Sequence, residues 1–451
     1  MFEKRLLPEK VSIVGIARSP KTKKEVTEYI YQVLHSENRH HRHQIKEEIF
    51  KNLSQKISYL DGSLDDPEFY KKLKKSLKFK NRVFYLATYP DLYPDIFKNL
   101  KRSGLNKQKK GWVRVMIEKP IGDSLKSFRS LNNLLLKYFT EDQIYRLDHY
   151  LGKETLLNLL TFRFENGIFE PLINKEYIDH IQVTAAENFG IGQRGRYYDS
   201  VGALKDVGQN HLLQMVALAT MDPPKSFTNE DITNERIKLL KKLIPMPIKL
   251  VLGQYQGYKK EPNVNPNSEK DTYFAFKTGI KSQRYKGVPV YIRGGKKLKM
   301  WATEVSIIFK SGNVLIYRIQ PNEGIVMTIK TKKPGHEKQL ENSYMQFCYK
   351  RSLKASPKAE LSGSAYRGDP NEHFLIDPHE RLMYDAISGD QTNFNDSKEV
   401  EVEWRFIDAL EKKLPKAVLY SPGTWGPKEA DKLIEADGRH WLEPSMEFCR
   451  I

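Results

Sequence analysis

Three short stretches carry residue types suited to acid–base and phosphate chemistry. The first is Arg146-Leu147-Asp148-His149-Tyr150-Leu151-Gly152-Lys153-Glu154. If it winds as a helix, His149 and Lys153 stand four apart and share a face. Two cationic donors on one face suit a dianionic phosphate, and Asp148 beside them points elsewhere, free to orient another group. An amphipathic helix start with a routine surface pair accounts for the same letters. The second stretch is Asp206-Val207-Gly208-Gln209-Asn210-His211-Leu212-Leu213-Gln214, which leads into an apolar helix, so His211 is expected partly buried among polar neighbours. A carboxylate such as Asp148 would fix its tautomer and raise its basicity, which makes a general base; a satisfied core histidine is the bland alternative. The third, Glu118-Lys119-Pro120, ends a strand. The carboxyl ends of parallel strands line the ligand crevice of open α/β sheets, so Lys119 is either a phosphate or hydroxyl ligand or a solvated terminus before a proline turn.

The elements that must position these residues change character along the chain. Through the first third, apolar runs at 11–17, 57–60, 83–88 and 113–117 alternate with helical patterns at 22–34, 67–77 and 93–101. Asp123 and Ser124 can cap a further helix with Leu125, Phe128, Leu131 and Leu135 on one face. Strands alternating with helices imply a parallel sheet covered on both sides. Beyond it, 180–187 and four strand-like runs within 288–333 are separated by breaks such as SGN and PNEG, which argues for an antiparallel sheet. Helices recur at 203–219, 380–388 and 397–413. The fold class is therefore an α/β Rossmann-like domain at 1–154 joined to an α+β domain at 155–451 with a large, mainly antiparallel sheet. The segment 254–270 reads as a mobile loop.

Composition narrows the function. The chain has 451 residues, with 75 Lys+Arg against 56 Asp+Glu, a formal charge of +19. Such an excess suits an anionic partner, but most of it is lysine scattered along helices, as in KKLKKSLKFK, which is the pattern of a solvated face. Without an interleaved aromatic–basic platform, nucleic acid is not expected as a partner. No run of eighteen apolar residues suggests a membrane span, and the N-terminus has no secretory h-region. Cys348 and Cys449, the two cysteines, make neither a disulfide scaffold nor a zinc cluster, and the reading is a reduced, cytoplasmic protein. Gly190–Gly195 (GIGQRG) matches G-x-G-x-x-G, but no βαβ unit follows it, so it reads as a coincidental turn. His40-His41-Arg42-His43 reads as a solvated loop rather than a metal site.

Taken together the stretches resemble the glucose-6-phosphate dehydrogenase family. The resemblance rests on RLDHYLGKE (146–154), EKPIG (118–122), AENFGIGQRGRYYD (186–199), DVGQNHLLQ (206–214), RGGKKL (293–298), RIQPNEG (318–324) and HERLMYDAISGD (379–390). They run in family order over nearly the whole chain. The resemblance implies oxidation of the C1 hydroxyl of glucose 6-phosphate to the lactone, with hydride passed to NADP, or NAD as the alternative. It implies His211 as general base, Asp148 as its orienting carboxylate, and His149, Tyr150 and Lys153 as phosphate ligands. Glu187, Asp206, Lys119, Gln320 and Lys296 would hold sugar hydroxyls or the reacting end. Arg18 matches the position that reads the 2′-phosphate of NADP, where a guanidinium is chemically suited, and Lys119 is implied as a cofactor ligand too. No metal is implied, and a homodimer or homotetramer is.

Two departures from the family pattern carry expectations. The family opens with a strand, a G-x-x-G-D-L turn and a helix that cradle the cofactor pyrophosphate. This chain starts just before the second strand, which should leave unpaired backbone edges beside 11–17 and 83–88. Either the sequence is a truncated version of an active enzyme, or it is a sugar-phosphate-binding relic without that loop. The second departure is Trp301, where the family often has a basic residue; Lys297 or Lys299 would have to substitute.

Overall fold

The computed structural model describes residues 1–35, 45–246, 249–336, 338–349 and 377–449; the His40–His43 run lies outside them. The chain forms two compact units, one of Met1–Ile121, Ser130–Leu147 and Glu380–Gln391, the other of Gly122–Arg129, Asp148–His379 and Thr392–Ile451.

In the first unit the expected strands form and are parallel. β1 (Ile13–Ala17) pairs with β2 (Ile57–Asp61) in register Ile13↔Ile57. β3 (Arg82–Leu86), β4 (Val113–Ile117) and β5 (Ile144–Arg146) make a second sheet in that order. The two sheets are separate, so the expected open edges beside β1 and β3 are present among the described residues. With a neighbour on one side only, β1 is no more than half-buried, where its apolar run had suggested a buried strand. Central β4 is buried apart from Arg114. The lysine-rich helix Pro67–Ser76 starts from the Asp66 side chain, which accepts from the Glu68 N–H, and buries Phe69, Tyr70 and Leu73. Its lysines stay in solvent, as a helix with one apolar stripe requires.

The second unit is built on nine strands. Those not yet introduced are β6 (Ile178–Ala186), β7 (Leu250–Tyr255), β8 (Tyr273–Gly279), β9 (Pro289–Gly295), β10 (Ala302–Phe309), β11 (Val314–Gln320), β12 (Gly324–Lys332), β13 (Leu340–Cys348) and β14 (Val418–Tyr420). They lie in the order β13-β12-β11-β10-β6-β9-β8-β7-β14. Pairing is antiparallel except between β6 and β9 and between β7 and β14. Ile181, Val183, Val290, Ile292, Val305 and Ile307 are completely buried along the middle strands. The helix Leu213–Thr220 is buried on every side, which its sequence LQMVALAT permits because it carries no charge.

Three expectations are corrected here. Residues 147–153 are not helical: the Leu151 N–H donates to the Asp148 carbonyl and the Lys153 N–H to the Tyr150 carbonyl, and the helix begins only at Glu154. The segment 254–270 is fastened rather than loose. Gln254 donates to the carbonyls of Ser268 and Lys270, Tyr258 donates to Asp199 at 3.0 Å, and Ser268 donates to the same carboxylate. Gly195 packs so closely under this segment that a Cβ there would sit 1.9 Å from the Pro262 carbonyl. Finally, Cys348 and Cys449 form a disulfide across 101 residues, contrary to the reduced reading. The bridge ties the end of β13 to the C-terminal segment, where Phe448 and Cys449 pack on Ile316 and Val326.

Candidate active site

The site residues of the second unit are brought together by sheet register and one unusual helix. In the parallel pair β6–β9, Ala186 is matched with Gly295. The next residue on each strand is Glu187 and Lys296, and their side chains form an ion pair. The Glu187 N–H donates to the Gly295 carbonyl at 3.0 Å and the Lys296 N–H to the Thr272 carbonyl at 2.9 Å. Lys296 is buried, 2% exposed, with its ammonium 5.6 Å from the ring centres of both Phe189 and Tyr198. Across β6, Thr303 of β10 is matched with Ala185 and, on its other side, with Gln320 of β11. The Gln320 amide donates to the Thr303 hydroxyl at 3.1 Å and to the Tyr150 hydroxyl at 3.0 Å.

The turn 147–153 and the segment beginning at Leu204 meet at this end of the sheet. Leu204–Leu212 winds as a π-helix before α-helical winding resumes at Leu213; stretches of this kind are rare and concentrate at functional sites. A single helix had been expected through 203–219. Its start is held by Asp271, which accepts from the Leu204 N–H at 2.8 Å. Burial of that carboxyl group pushes its pKa up to about 6. Gly202 makes the approach at φ 80°, and a Cβ there would lie 2.2 Å from the Asp271 carboxylate.

His211, on the last turn of the π-helix, is 2% exposed and bonds through Nδ1 to the fully buried Asp148. It is more deeply buried than its sequence context suggested. The Asp148 carboxylate also accepts from the Tyr150 N–H at 2.9 Å, which fixes its orientation. The Tyr150 ring stacks on the His211 ring with centroids 4.0 Å apart, and the His149 ring meets His211 edge-on at 4.9 Å. Burial pushes the Tyr150 phenol well up, so it stays a neutral donor and acceptor. Asp206, on the first turn of the π-helix, accepts from the Tyr197 hydroxyl at 3.2 Å. Lys153 stands 3.7 Å from Glu323.

Asp148, His149, Tyr150, Lys153, Glu187, Asp206, His211, Lys296 and Gln320 thus all lie in the second unit. Lys119 and Arg18 belong to the first. Lys119 follows β4 at a cis Lys119–Pro120 bond. Arg18 is exposed directly after β1, with Lys21, Lys23 and Lys24 exposed close behind it. Thr303, Tyr197, Glu323 and Asp271 were not foreseen. Thr303 announces itself only through strand register, and the acidic pair Glu323 and Asp271 only through distant partners. Trp301 stands partly exposed just before β10, Lys299 is engaged with Glu443 at 2.8 Å, and the Lys297 ammonium lies 5.9 Å from the Tyr255 ring centre. The GIGQRG run is a turn leading into the helix Gly195–Val201, as expected. Asp148, His149 and His211 are close enough to share a cation, but Asp148 and His211 already bond each other.

A parallel α/β unit, together in one chain with a large-sheet unit that holds a buried His–Asp pair, is the make-up of a two-domain dehydrogenase. Residues 1–158 match the model of the glucose-6-phosphate dehydrogenase NAD binding domain, and residues 160–442 match that of its C-terminal domain. The chain belongs to the glucose-6-phosphate dehydrogenase family and is an enzyme. It is 38% identical to glucose-6-phosphate 1-dehydrogenase of Borreliella burgdorferi, over 94% of this chain and 90% of that protein. It is 35% identical to the same enzyme of Chlamydia muridarum, over 96% and 90%. The crystal structure of the Mycobacterium avium enzyme superposes with a TM-score of 0.85 at 30% identity, covering 98% of this chain and 93% of that one. A second, of glucose-6-phosphate dehydrogenase in complex with glucose 6-phosphate, gives 0.83 at 31%, covering 96% and 91%. The cofactor of this family is a nicotinamide dinucleotide, and the relic reading finds no support in these relatives. Among the described residues no helix is long and apolar enough to cross a membrane.

Proposed function

We propose that the chain oxidises glucose 6-phosphate at C1 to 6-phosphoglucono-1,5-lactone, with His211 as the general base. The observation that carries this is the His211–Asp148 bond, because it occupies Nδ1 and leaves Nε2 as the basic atom. Nε2 takes the C1 hydroxyl proton as the C1–O bond becomes a carbonyl and the C1 hydrogen departs with its electron pair. Asp148 stabilises the imidazolium that results. A bound nicotinamide supplies the hydride acceptor. His149, Tyr150 and Lys153 hold the phosphate, and Glu187, Asp206, Lys296 and Gln320 the sugar hydroxyls; Lys119 serves the reacting end. The expected effect of His211→Asn is a collapse of turnover with glucose 6-phosphate binding by calorimetry largely kept. Full turnover by that variant would sink the assignment.

For the cofactor we infer NADP over NAD. The support is the exposed cationic run Arg18, Lys21, Lys23 and Lys24, with no acidic residue between 18 and 24 to favour a free ribose hydroxyl. Arg18 would hold the 2′-phosphate. Arg18→Ala should cut the ratio of kcat/KM for NADP to that for NAD, and an unchanged ratio would remove Arg18 from this role. A homodimer or homotetramer completes the reading, on family resemblance alone, and light scattering decides the assembly.

A further inference from the structure

Behind the π-helix lies a buried carboxyl group that the reaction does not use directly. The helix Ser397–Leu410 opens with a capping box between Asp396 and Glu399. Glu399 is spoken for by Arg236, whose Nε lies 2.7 Å from its carboxylate. One turn further on, Glu403 is completely buried. Its two oxygens are each taken by an amide donor: Gln209 at 3.1 Å and Gln214 at 2.7 Å. Those glutamines flank His211 in sequence. Gln209 is on the π-helix and Gln214 on the α-helix that continues it. One side chain therefore grips both sides of the junction at which the winding changes.

The junction needs a grip. π-winding is poorly populated and reverts to α-helix when nothing holds it. Reversion would turn His211 about the axis and away from Asp148. Burial and the neighbouring Glu399 carboxylate push the Glu403 carboxyl well above its ordinary range. A neutral acid suits a site that already holds the Glu399 carboxylate, and the Gln214 amide reaches both acids.

We infer that Glu403 is a positioning residue for the dehydrogenase reaction, clamping Gln209 and Gln214 so that the π-to-α junction aims His211 at Asp148. This rests on His211 being the base. The test is steady-state kinetics of the enzyme carrying Glu403→Leu or Glu403→Gln. Glu403→Leu should lower kcat at least about tenfold, a modest share of what a positioned base contributes, with KM for glucose 6-phosphate within about threefold. Glu403→Gln keeps an acceptor and a donor in the same shape and should restore kcat to within about twofold of wild type. If Glu403→Leu does not fold, Gln209→Met, which removes one donor from the clamp, should show the same loss confined to kcat. Wild-type kcat in the folded leucine variant, an equal fall in kcat and rise in KM, or a glutamine variant as poor as leucine would each overturn the inference. His211→Asn measured alongside separates the two readings. Full turnover there removes the base assignment and this inference with it. Its collapse beside an unimpaired Glu403→Leu removes the clamp alone.

Discussion

The phenol ring of Tyr150 lies over the imidazole of His211, centroids 4.0 Å apart and planes inclined by 26°. One residue of the site therefore does two things: its hydroxyl takes a hydrogen bond from Gln320, and its ring backs the face of the imidazole whose Nδ1 edge meets Asp148.

Those roles separate by substitution. Tyr150→Phe keeps the ring and loses the hydroxyl, so KM for glucose 6-phosphate should rise about five- to tenfold with kcat little changed, the effect of about one hydrogen bond. Tyr150→Leu also loses the stack and should lower kcat. Steady-state kinetics of the pair decides it. A phenylalanine variant crippled in kcat would mean the hydroxyl, not the ring, serves the base.

Glu187 and Lys296 form a pair in which the lysine is nearly inaccessible. Glu187→Gln strands a buried ammonium and should cost about 3 kcal/mol of unfolding free energy, whereas Glu187→Gln with Lys296→Met should recover most of it, because removing both charges is often neutral. Urea midpoints of the single and double variants give the answer. A double variant no better than the single would show that the pair acts through packing.

Asp271 has a folded-state pKa of about 6, raised by burial, against about 3.9 in an unfolded chain. The protonated form is thus favoured by folding. Its contribution is full below about pH 4 and is lost as the pH rises through 6, a change of up to about 3 kcal/mol. Asp271→Asn, which keeps an acceptor for the Leu204 N–H, should abolish that part of the pH dependence. Denaturation midpoints between pH 4.5 and 7 would show it, and parallel slopes in both proteins would count against the buried acid.

The Cys348–Cys449 bridge closes a span of 101 residues. In the chain-entropy picture a loop that long restricts the unfolded chain by about 4 to 5 kcal/mol. Reductant should therefore lower the denaturation midpoint of the wild type and leave Cys348→Ser unaffected. Two thiols should become reactive only after reduction. Thiols titrating freely without reductant would argue against the bridge.

What the sequence made legible follows from the range of the forces involved. Val113–Ile117 was readable because apolar alternation is local, and the helix at Pro67 because proline, Asp66 and an apolar stripe are local too. The open edges at β1 and β3 were legible by comparison with a family pattern. The π-helix was not, since its letters fit α-winding equally well and the difference is imposed by partners such as Asp271 and Glu403. The turn at 147–153 was open to a helical reading because its backbone is fixed by bonds that spacing does not reveal. The cysteine pairing depended on where two distant segments come together. The nine candidate residues of the second unit were named from motifs, yet what places them was visible only in strand register, the turn at 147–153 and the π-helix.

That register has a consequence for how such an enzyme can change. β6 and β9 run the same way and stop together, so the excursion of about a hundred residues between them leaves at the end where Glu187 and Lys296 stand and rejoins the sheet at the opposite end. Loops inside that excursion, apart from the π-helix and strands β7 and β8 that it also contains, can be lengthened or trimmed without altering the separation of Glu187 from Lys296. A slip of one residue within either strand would shift one of the two by about 3.3 Å and turn it to the opposite face. Length can thus vary in the connections, whereas the two strands that set the Glu187–Lys296 spacing cannot shift against each other.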